Sequence, residues 1–167
     1  MRPTILAIVG ASGSGKTALS EHLKEIGIEP IVSFTTREMR EDEVNGREHL
    51  FVTESQLPGK ETMLAYAFFG GYHYWTTISQ IPTDGCVSYI IDEKALIEMT
   101  EKFGDRVRIL PVYIKRDNLT DIERSRRNRD KDRVILPDKY YSAVIENNGT
   151  LEELLIKAER TIKNLIF

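Results

Sequence analysis

Gly10-Ala11-Ser12-Gly13-Ser14-Gly15-Lys16-Thr17 is the stretch whose reading decides the fold. It fits the pattern G-x-x-x-x-G-K-[ST], and its flanks are those the pattern requires. Before it runs Ile5-Leu6-Ala7-Ile8-Val9, a continuous apolar stretch bounded by glycine, which reads as a central parallel strand buried on both faces. After it Ala18, Leu19, His22, Leu23 and Ile26 recur at helical spacing, and Gly27 is placed to stop the helix. The glycines of such a loop let backbone N–H groups turn inward around phosphate oxygens. Lys16 then reaches the β- and γ-phosphates, and the Thr17 hydroxyl ligates Mg²⁺. A glycine-rich turn that only caps a helix is the competing reading of the same residues.

Outward from the loop the chain keeps alternating. Cys86 to Ile91 is a second apolar strand ending at Asp92, followed by a helix from Glu93 to Phe103 with Gly104 beyond its end. Arg108 to Ile114 is a third strand, and a polar helix from about Asn118 to Asn128 follows it. Arg129-Asp130-Lys131-Asp132-Arg133 has no core-forming period and reads as a mobile loop. Last come a strand, Ala143 to Ile145, and a helix that Thr150 opens with Glu153 as its capping-box partner. Strands alternating with helices predict an α/β fold, a parallel sheet flanked by helices in three layers. Asp92, at the end of an apolar strand, is a candidate carboxylate for Mg²⁺ or its water shell, and equally a candidate helix N-cap.

Composition narrows what such a fold can serve. The 167 residues are 41% hydrophobic and 29% charged with a formal net charge of −3, which fits one soluble domain with a substantial core. The apolar run that opens the chain is too short for a signal peptide or a membrane span, so a cytoplasmic protein is expected. One cysteine, Cys86, excludes an internal disulfide framework, and three scattered histidines offer no zinc spacing, so any metal is expected to arrive with a nucleotide. The acidic balance argues against nucleic acid as a partner, because binding a phosphate backbone needs a basic face.

A phosphate loop names a donor and leaves the acceptor open. Ser33-Phe34-Thr35-Thr36-Arg37-Glu38-Met39-Arg40 gathers hydroxyls and two arginines in a stretch with neither helical nor strand patterning, which suits a second anion site. With Glu43, Gly46, Glu48, His49, Phe51 and Val52 it resembles the acceptor segment of the guanylate kinases, S-x-[ST]-T-R-x-x-R-x-x-E-x-x-G-x-[DE]-Y-x-F-V. The resemblance covers nearly the whole chain. It implies a P-loop NTPase fold with a small nucleoside-monophosphate-binding subdomain and a lid, in one domain over residues 1–167. The core would be 1–32, 84–123 and 138–167, the acceptor region about 33–83 and the lid about 124–137. It implies ATP with Mg²⁺ as donor, bound through Gly10, Ala11, Ser12, Gly13, Ser14, Gly15, Lys16 and Thr17, with Thr17 and Asp92 toward the metal. Ser33, Arg37 and Arg40 would hold the acceptor phosphate with Tyr74 as a further ligand, Glu43 would lie nearby in the acceptor site and His49 would take the place of a family tyrosine there, Thr76 would contact the base, and Asp92 would also face the acceptor. Small nucleotides are then the partners of a monomer or homodimer.

Departures from the family pattern point to the acceptor's base. His49 stands where the family has tyrosine, which makes one phosphate contact pH-sensitive. Ala65 stands where the family's glutamate reads guanine, with Glu61 as the alternative if the alignment slips. Ile90 replaces the first of two aspartates, and Trp75 replaces a glycine. An apolar residue in place of an acceptor for guanine N–H groups costs roughly 1–3 kcal/mol of selectivity. Tyr66, Phe68, Phe69, Tyr72, Tyr74 and Trp75 are expected to serve mostly core and hinge packing, with one or two members near the ligand.

Arg124, Arg126, Arg127, Arg129 and Arg133 cluster where related kinases carry an arginine-bearing lid. Phosphoryl transfer spreads negative charge over the transferring group, and arginines brought to it stabilise that charge and exclude water. By the resemblance, Arg124, Arg127 and Arg133 join Lys16 as catalytic residues; a salt-bridged helix face with Glu123, Asp130 and Asp132 is the plainer reading. The expected activity is transfer of the γ-phosphoryl of ATP to GMP, dGMP or a related nucleotide. A modified or non-guanine deoxynucleotide, or ribose 1,5-bisphosphate, is the alternative acceptor. A non-catalytic module that binds phosphopeptides through Arg37 and Arg40 is the third reading.

Overall fold

Ile5, Leu6, Ala7, Ile8 and Val9 are each wholly buried, as a strand covered on both faces must be. They lie in β1 (Thr4–Gly10) of a computed structural model that describes residues 2–117 and 133–167. The loop that follows leads into α1 (Lys16–Leu23), shorter than the periodicity suggests, because Lys24–Ile26 tighten into a 3₁₀ turn. Gly27 then ends the element in the left-handed region at φ 82°. The remaining strands are β2 (Glu29–Pro30), β3 (Phe34–Thr35), β4 (Leu50–Phe51), β5 (Met63–Phe69), β6 (Tyr72–Thr77), β7 (Cys86–Ile90), β8 (Arg108–Lys115) and β9 (Ala143–Glu146). The helices after α1 are α2 (Glu93–Phe103) and α3 (Leu151–Ile166). Thr150 opens α3 as expected: its Oγ1 accepts from Glu153 N at 3.2 Å while Glu153 Oε2 accepts from Thr150 N at 2.8 Å.

The chain divides into two units, residues 1–30 with 84–167, and residues 31–83. The first holds a five-stranded sheet in the order β2-β7-β1-β8-β9, every neighbouring pair parallel, with β1 at its centre. Leu19 and Leu23 of α1 and Leu154, Ala158 and Ile162 of α3 pack on Leu6, Ile8, Val112 and Ile114 in one core cluster. Removing a buried Leu side chain from such a core costs about 2–5 kcal/mol, so this packing fixes the loop between β1 and α1. The second unit holds a four-stranded sheet in the order β4-β3-β6-β5, in which β3 pairs parallel with β4 and β6 pairs antiparallel with β3 and β5.

Two expectations need correction. The aromatic cluster does not serve mostly as core: Trp75 is buried at 3% exposure and stacks on Phe34, but Tyr66, Phe68, Phe69 and Tyr72 are exposed around the Gly70-Gly71 turn of the β5–β6 hairpin. Burial does not alternate along this hairpin but falls from Met63 and Leu64 to the turn and rises again to Trp75, Thr76 and Thr77, so the base of the hairpin is covered and its tip is not. Arg133 is not part of a solvated loop, because its guanidinium is paired with a buried carboxylate. The helix expected at about Asn118 to Asn128 lies outside the described residues.

Candidate functional site

The phosphate loop leaves the C-terminal end of β1, where parallel α/β sheets gather their ligands. Its shape depends on glycines. Gly13 and Gly15 have φ of 78° and 105°, and a Cβ on Gly15 would stand 2.7 Å from Leu154 Cδ2 and 3.0 Å from Asn147 Nδ2. A Cβ on Gly10 would stand 2.6 Å from Ser14 Oγ and from the Ile114 carbonyl.

Side chains from distant parts of the chain hold the loop's carbonyls. Asn147 Nδ2 donates to Ser14 O at 2.8 Å and Arg116 Nη1 donates to Gly13 O at 2.8 Å. Lys16 Nζ reaches back to Gly10 O at 2.7 Å and Ala11 O at 2.8 Å. A trans peptide points the next N–H away from its carbonyl, so tying down the carbonyls of Gly13 and Ser14 turns the N–H of Gly15 toward the opposite side. With the N–H groups at the start of α1 this has the form of an anion cradle. Ser14 Oγ is buried and has no partner among the described residues. Thr17 is exposed on the first turn.

Asp92 sits just beyond β7. It is exposed, and its Oδ1 accepts from Ala95 N at 2.8 Å, so the carboxylate caps α2. Glu93, next to it, is the residue that sequence reasoning passed over. At 1% exposure it receives Arg133 Nε at 2.8 Å and Arg133 Nη2 in a bidentate pair. Burial alone would lower the Arg133 pKa, and the pair with Glu93 more than offsets it, so the guanidinium is firmly charged. Arg124 and Arg127 lie outside the described residues.

In the second unit the acceptor residues assemble around two contacts. Arg37 grips Glu43 with both ends of its fork, at 3.0 Å and 2.7 Å, and the side chains are only 14% and 11% exposed. Glu43 Oε2 also accepts from Arg40 N at 2.8 Å, while the Arg40 side chain is exposed. The Arg37 fork, helped by that backbone N–H, holds the Glu43 carboxyl at about 2, below its ordinary 4.5. Arg37 is raised in return, chiefly by Glu43 with Tyr74 adding, and its guanidinium lies 5.4 Å over the Phe51 ring. Ser33 Oγ and His49 Nδ1 share a hydrogen bond of 2.8 Å, and the His49 ring meets Tyr74 edge-on at 5.6 Å. Burial first and Arg37 second hold His49 below its ordinary value, so it is neutral at pH 7. Ser33, Arg37, Glu43, His49 and Tyr74 thus form one chain of contacts. Thr76 is fully buried on β6 opposite Ala65 of β5.

Residues Ala65, half-buried, and Ile90, 38% exposed, bring no carboxylate to the positions where the sequence comparison sought one. Among the described residues no three His, Cys, Asp or Glu side chains gather as a metal site. A cavity of about 500 Å³ beside α2 and β8 is lined by none of the predicted site residues.

A strand, a glycine loop carrying a lysine and a helix, at the C-terminal end of the central strand of a parallel sheet, define a P-loop nucleotide-binding fold. The family model for guanylate kinase matches residues 1–164. Guanylate kinase of Deinococcus radiodurans is 31% identical over 131 residues, 74% of this chain, which spans about half of that relative (54%). Guanylate kinase of Prochlorococcus marinus is 28% identical over 96% of this chain and 97% of its own length. In three dimensions the chain is similar to a crystal structure of guanylate kinase from Anaplasma phagocytophilum, with a TM-score of 0.66 and 18% identity, covering 99% of this chain and 88% of that one. The chain belongs to the guanylate kinase family. No described helix is long and apolar enough to cross a membrane.

Proposed function

We propose that the chain transfers the γ-phosphoryl group of ATP to the phosphate of a nucleoside monophosphate, GMP or dGMP foremost. The observation that carries this reading is the coexistence, on a member of this family, of an intact phosphate loop and the Ser33–His49, Arg37–Glu43 cluster. In this reading residues 1–32, 84–123 and 138–167 form the core, about 33–83 bind the acceptor, and about 124–137 form the lid.

On the donor side, backbone N–H groups from Gly10 to Thr17 bind the triphosphate, and Lys16 exchanges its two loop carbonyls for β- and γ-phosphate oxygens. The exposed Thr17 hydroxyl and Asp92 carboxylate suit Mg²⁺ that arrives with the nucleotide and keeps most of its waters. When bound, that ion neutralises charge on the phosphate oxygens. On the acceptor side, Arg37 arrives pre-oriented by Glu43, while Ser33, His49, Tyr74 and the exposed Arg40 supply further donors. The acceptor is already a phosphate anion, so catalysis needs positioning and charge neutralisation rather than a general base. Lys16 with Arg124, Arg127 and Arg133 supplies the positive charge for the transition state, and Thr76 faces the base. The reaction belongs in the cytoplasm, with a monomer or homodimer carrying it out.

A second reading keeps the chemistry and changes the acceptor. Ala65 and Ile90 leave guanine's N–H groups without the expected carboxylates, which favours a modified or non-guanine deoxynucleotide, or ribose 1,5-bisphosphate. A phosphopeptide-binding module without catalysis has no use for the loop and Lys16. Coupled ADP detection against GMP, dGMP, AMP, UMP, dTMP, dCMP and ribose 1,5-bisphosphate, with and without Mg²⁺, separates these. Turnover restricted to GMP and dGMP supports the first reading, turnover restricted to another acceptor supports the second, and no acceptor-dependent ADP defeats both.

A further inference from the structure

Glu93 is buried to 1% exposure at the first position of α2, directly after a residue that already caps the helix, and the mechanism above gives it no task. A buried carboxylate must be compensated, and here the partner is Arg133, forty residues away in sequence, gripped at both Nε and Nη2. Such pairs contribute little net stability, because desolvation offsets the attraction and an apolar residue of like volume serves as well. What the pair does supply is orientation. The face of the Arg133 guanidinium lies 5.7 Å over Tyr113, which stacks on Tyr141 with centroids 5.0 Å apart and planes 20° apart. Glu93 takes Nε and Nη2, and Tyr113 lies against the group and shares a side-chain hydrogen bond with it, so the fork is fixed by three interactions, fewer than its five N–H donors.

The place matters as much as the grip. Tyr113 of β8 pairs with Val9, the residue before Gly10, and Ile90 of β7 pairs with Ile8, so Glu93 and Tyr113 stand at the sheet edge from which the phosphate loop departs. We infer that Glu93 is a positioning residue, holding the Arg133 guanidinium at the phosphate end of the sheet for the transferring phosphoryl group. This rests on the phosphotransferase reading above. A guanidinium fixed before the reaction spends no freedom when charge develops, and a misplacement of about 1 Å costs on the order of 100-fold in rate.

A double-mutant cycle of Glu93→Gln and Arg133→Lys, read by steady-state kinetics, tests the inference. Glu93→Gln is expected to lower kcat about 10- to 100-fold while KM for ATP and for the acceptor changes less than about twofold. In the Arg133→Lys background, where the fork is already gone, the same substitution is expected to add almost nothing, because the two residues act as one unit. In the nucleotide-free protein the Arg133 Nε–H proton should exchange slowly with water in wild type and rapidly in Glu93→Gln. A folded Glu93→Gln protein with wild-type kcat and only a lowered melting temperature overturns the inference, as does a fully additive cycle. If Glu93→Gln does not fold, Arg133→Lys alone decides: wild-type kcat overturns the inference, and a loss at unchanged KM supports it. A wild-type protein that transfers phosphate to no acceptor defeats the proposed function and this inference with it, whereas an active wild type with an unaffected Glu93→Gln defeats the inference alone.

Discussion

On the function proposed above, the phosphate loop and the Arg37–Glu43 cluster meet the same demand, binding a phosphate, with opposite materials. The loop uses main-chain N–H groups, so its specification is steric: glycines at φ 78° and 105°, and carbonyls held back by Asn147 and Arg116 from far along the chain. The acceptor cluster uses side chains, and its members hold one another: Arg37 with Glu43, Ser33 with His49. A backbone site tolerates almost no change of residue, because every position shapes the same curve. A side-chain site can exchange one donor for another and keep its charge, which is why histidine can stand at position 49 where relatives use tyrosine. On that reading, the donor site is the more stringent in sequence and the acceptor site the more open to substitution.

That contrast can be broken at several points. Lys16→Ala should produce the largest effect, a fall in kcat of about 100- to 1000-fold or more with the fold intact by circular dichroism, since one preorganised cation is lost from the transition state. Arg37→Ala should raise the acceptor KM about 10- to 100-fold while the ATP KM holds, because it removes a charged fork from one site only. Gly15→Ala tests the steric claim: a Cβ there meets Leu154 and Asn147 in a backbone that favours glycine, so stability should fall by about 1–3 kcal/mol in denaturant unfolding. Gly27→Ala also falls at positive φ, 82°, but with nothing within 4 Å of the new Cβ, and should cost less than Gly15→Ala.

The smallest effect is in pH. His49 is held below its ordinary 6.5, so the unfolded chain binds the proton more tightly and stability should be complete above pH 6.5 and decline as pH falls below it. Glu43, lowered from 4.5 to about 2, adds a second loss on the same side, between those two values. A His49→Gln variant should lose the upper part of this decline in melting temperature and keep the lower.

Much of the first unit was legible in the sequence. β1, β7, β8 and β9 announce themselves as apolar runs, and the phosphate loop carries its conformation in its glycines. The second unit was not, because β3 and β4 are only two residues long and offer no period to read. The aromatics of β5 and β6 suggested core, and only the observed hairpin reveals that its tip is uncovered. Of the residues proposed for the acceptor, Ser33 to Arg40 stood out by their hydroxyls and arginines and Glu43 only through a family resemblance, while the Arg37–Glu43 grip is a tertiary fact. Glu93 escaped because an acidic residue in the first turn of a helix is ordinary. Its partner lies too far along the chain for any spacing rule, as do Asn147 and Arg116 for the loop they anchor.

The most direct measurement of the central claim is a ³¹P NMR time course of wild-type protein with ATP, Mg²⁺ and GMP, repeated with Arg37→Ala. The account predicts that the γ-phosphate resonance of ATP is replaced by matching β-phosphate resonances of ADP and GDP, and that Arg37→Ala restores the wild-type rate only at much higher GMP. ATP that stays intact with GMP and with every other nucleoside monophosphate, or a GMP dependence that Arg37→Ala leaves unchanged, would contradict it.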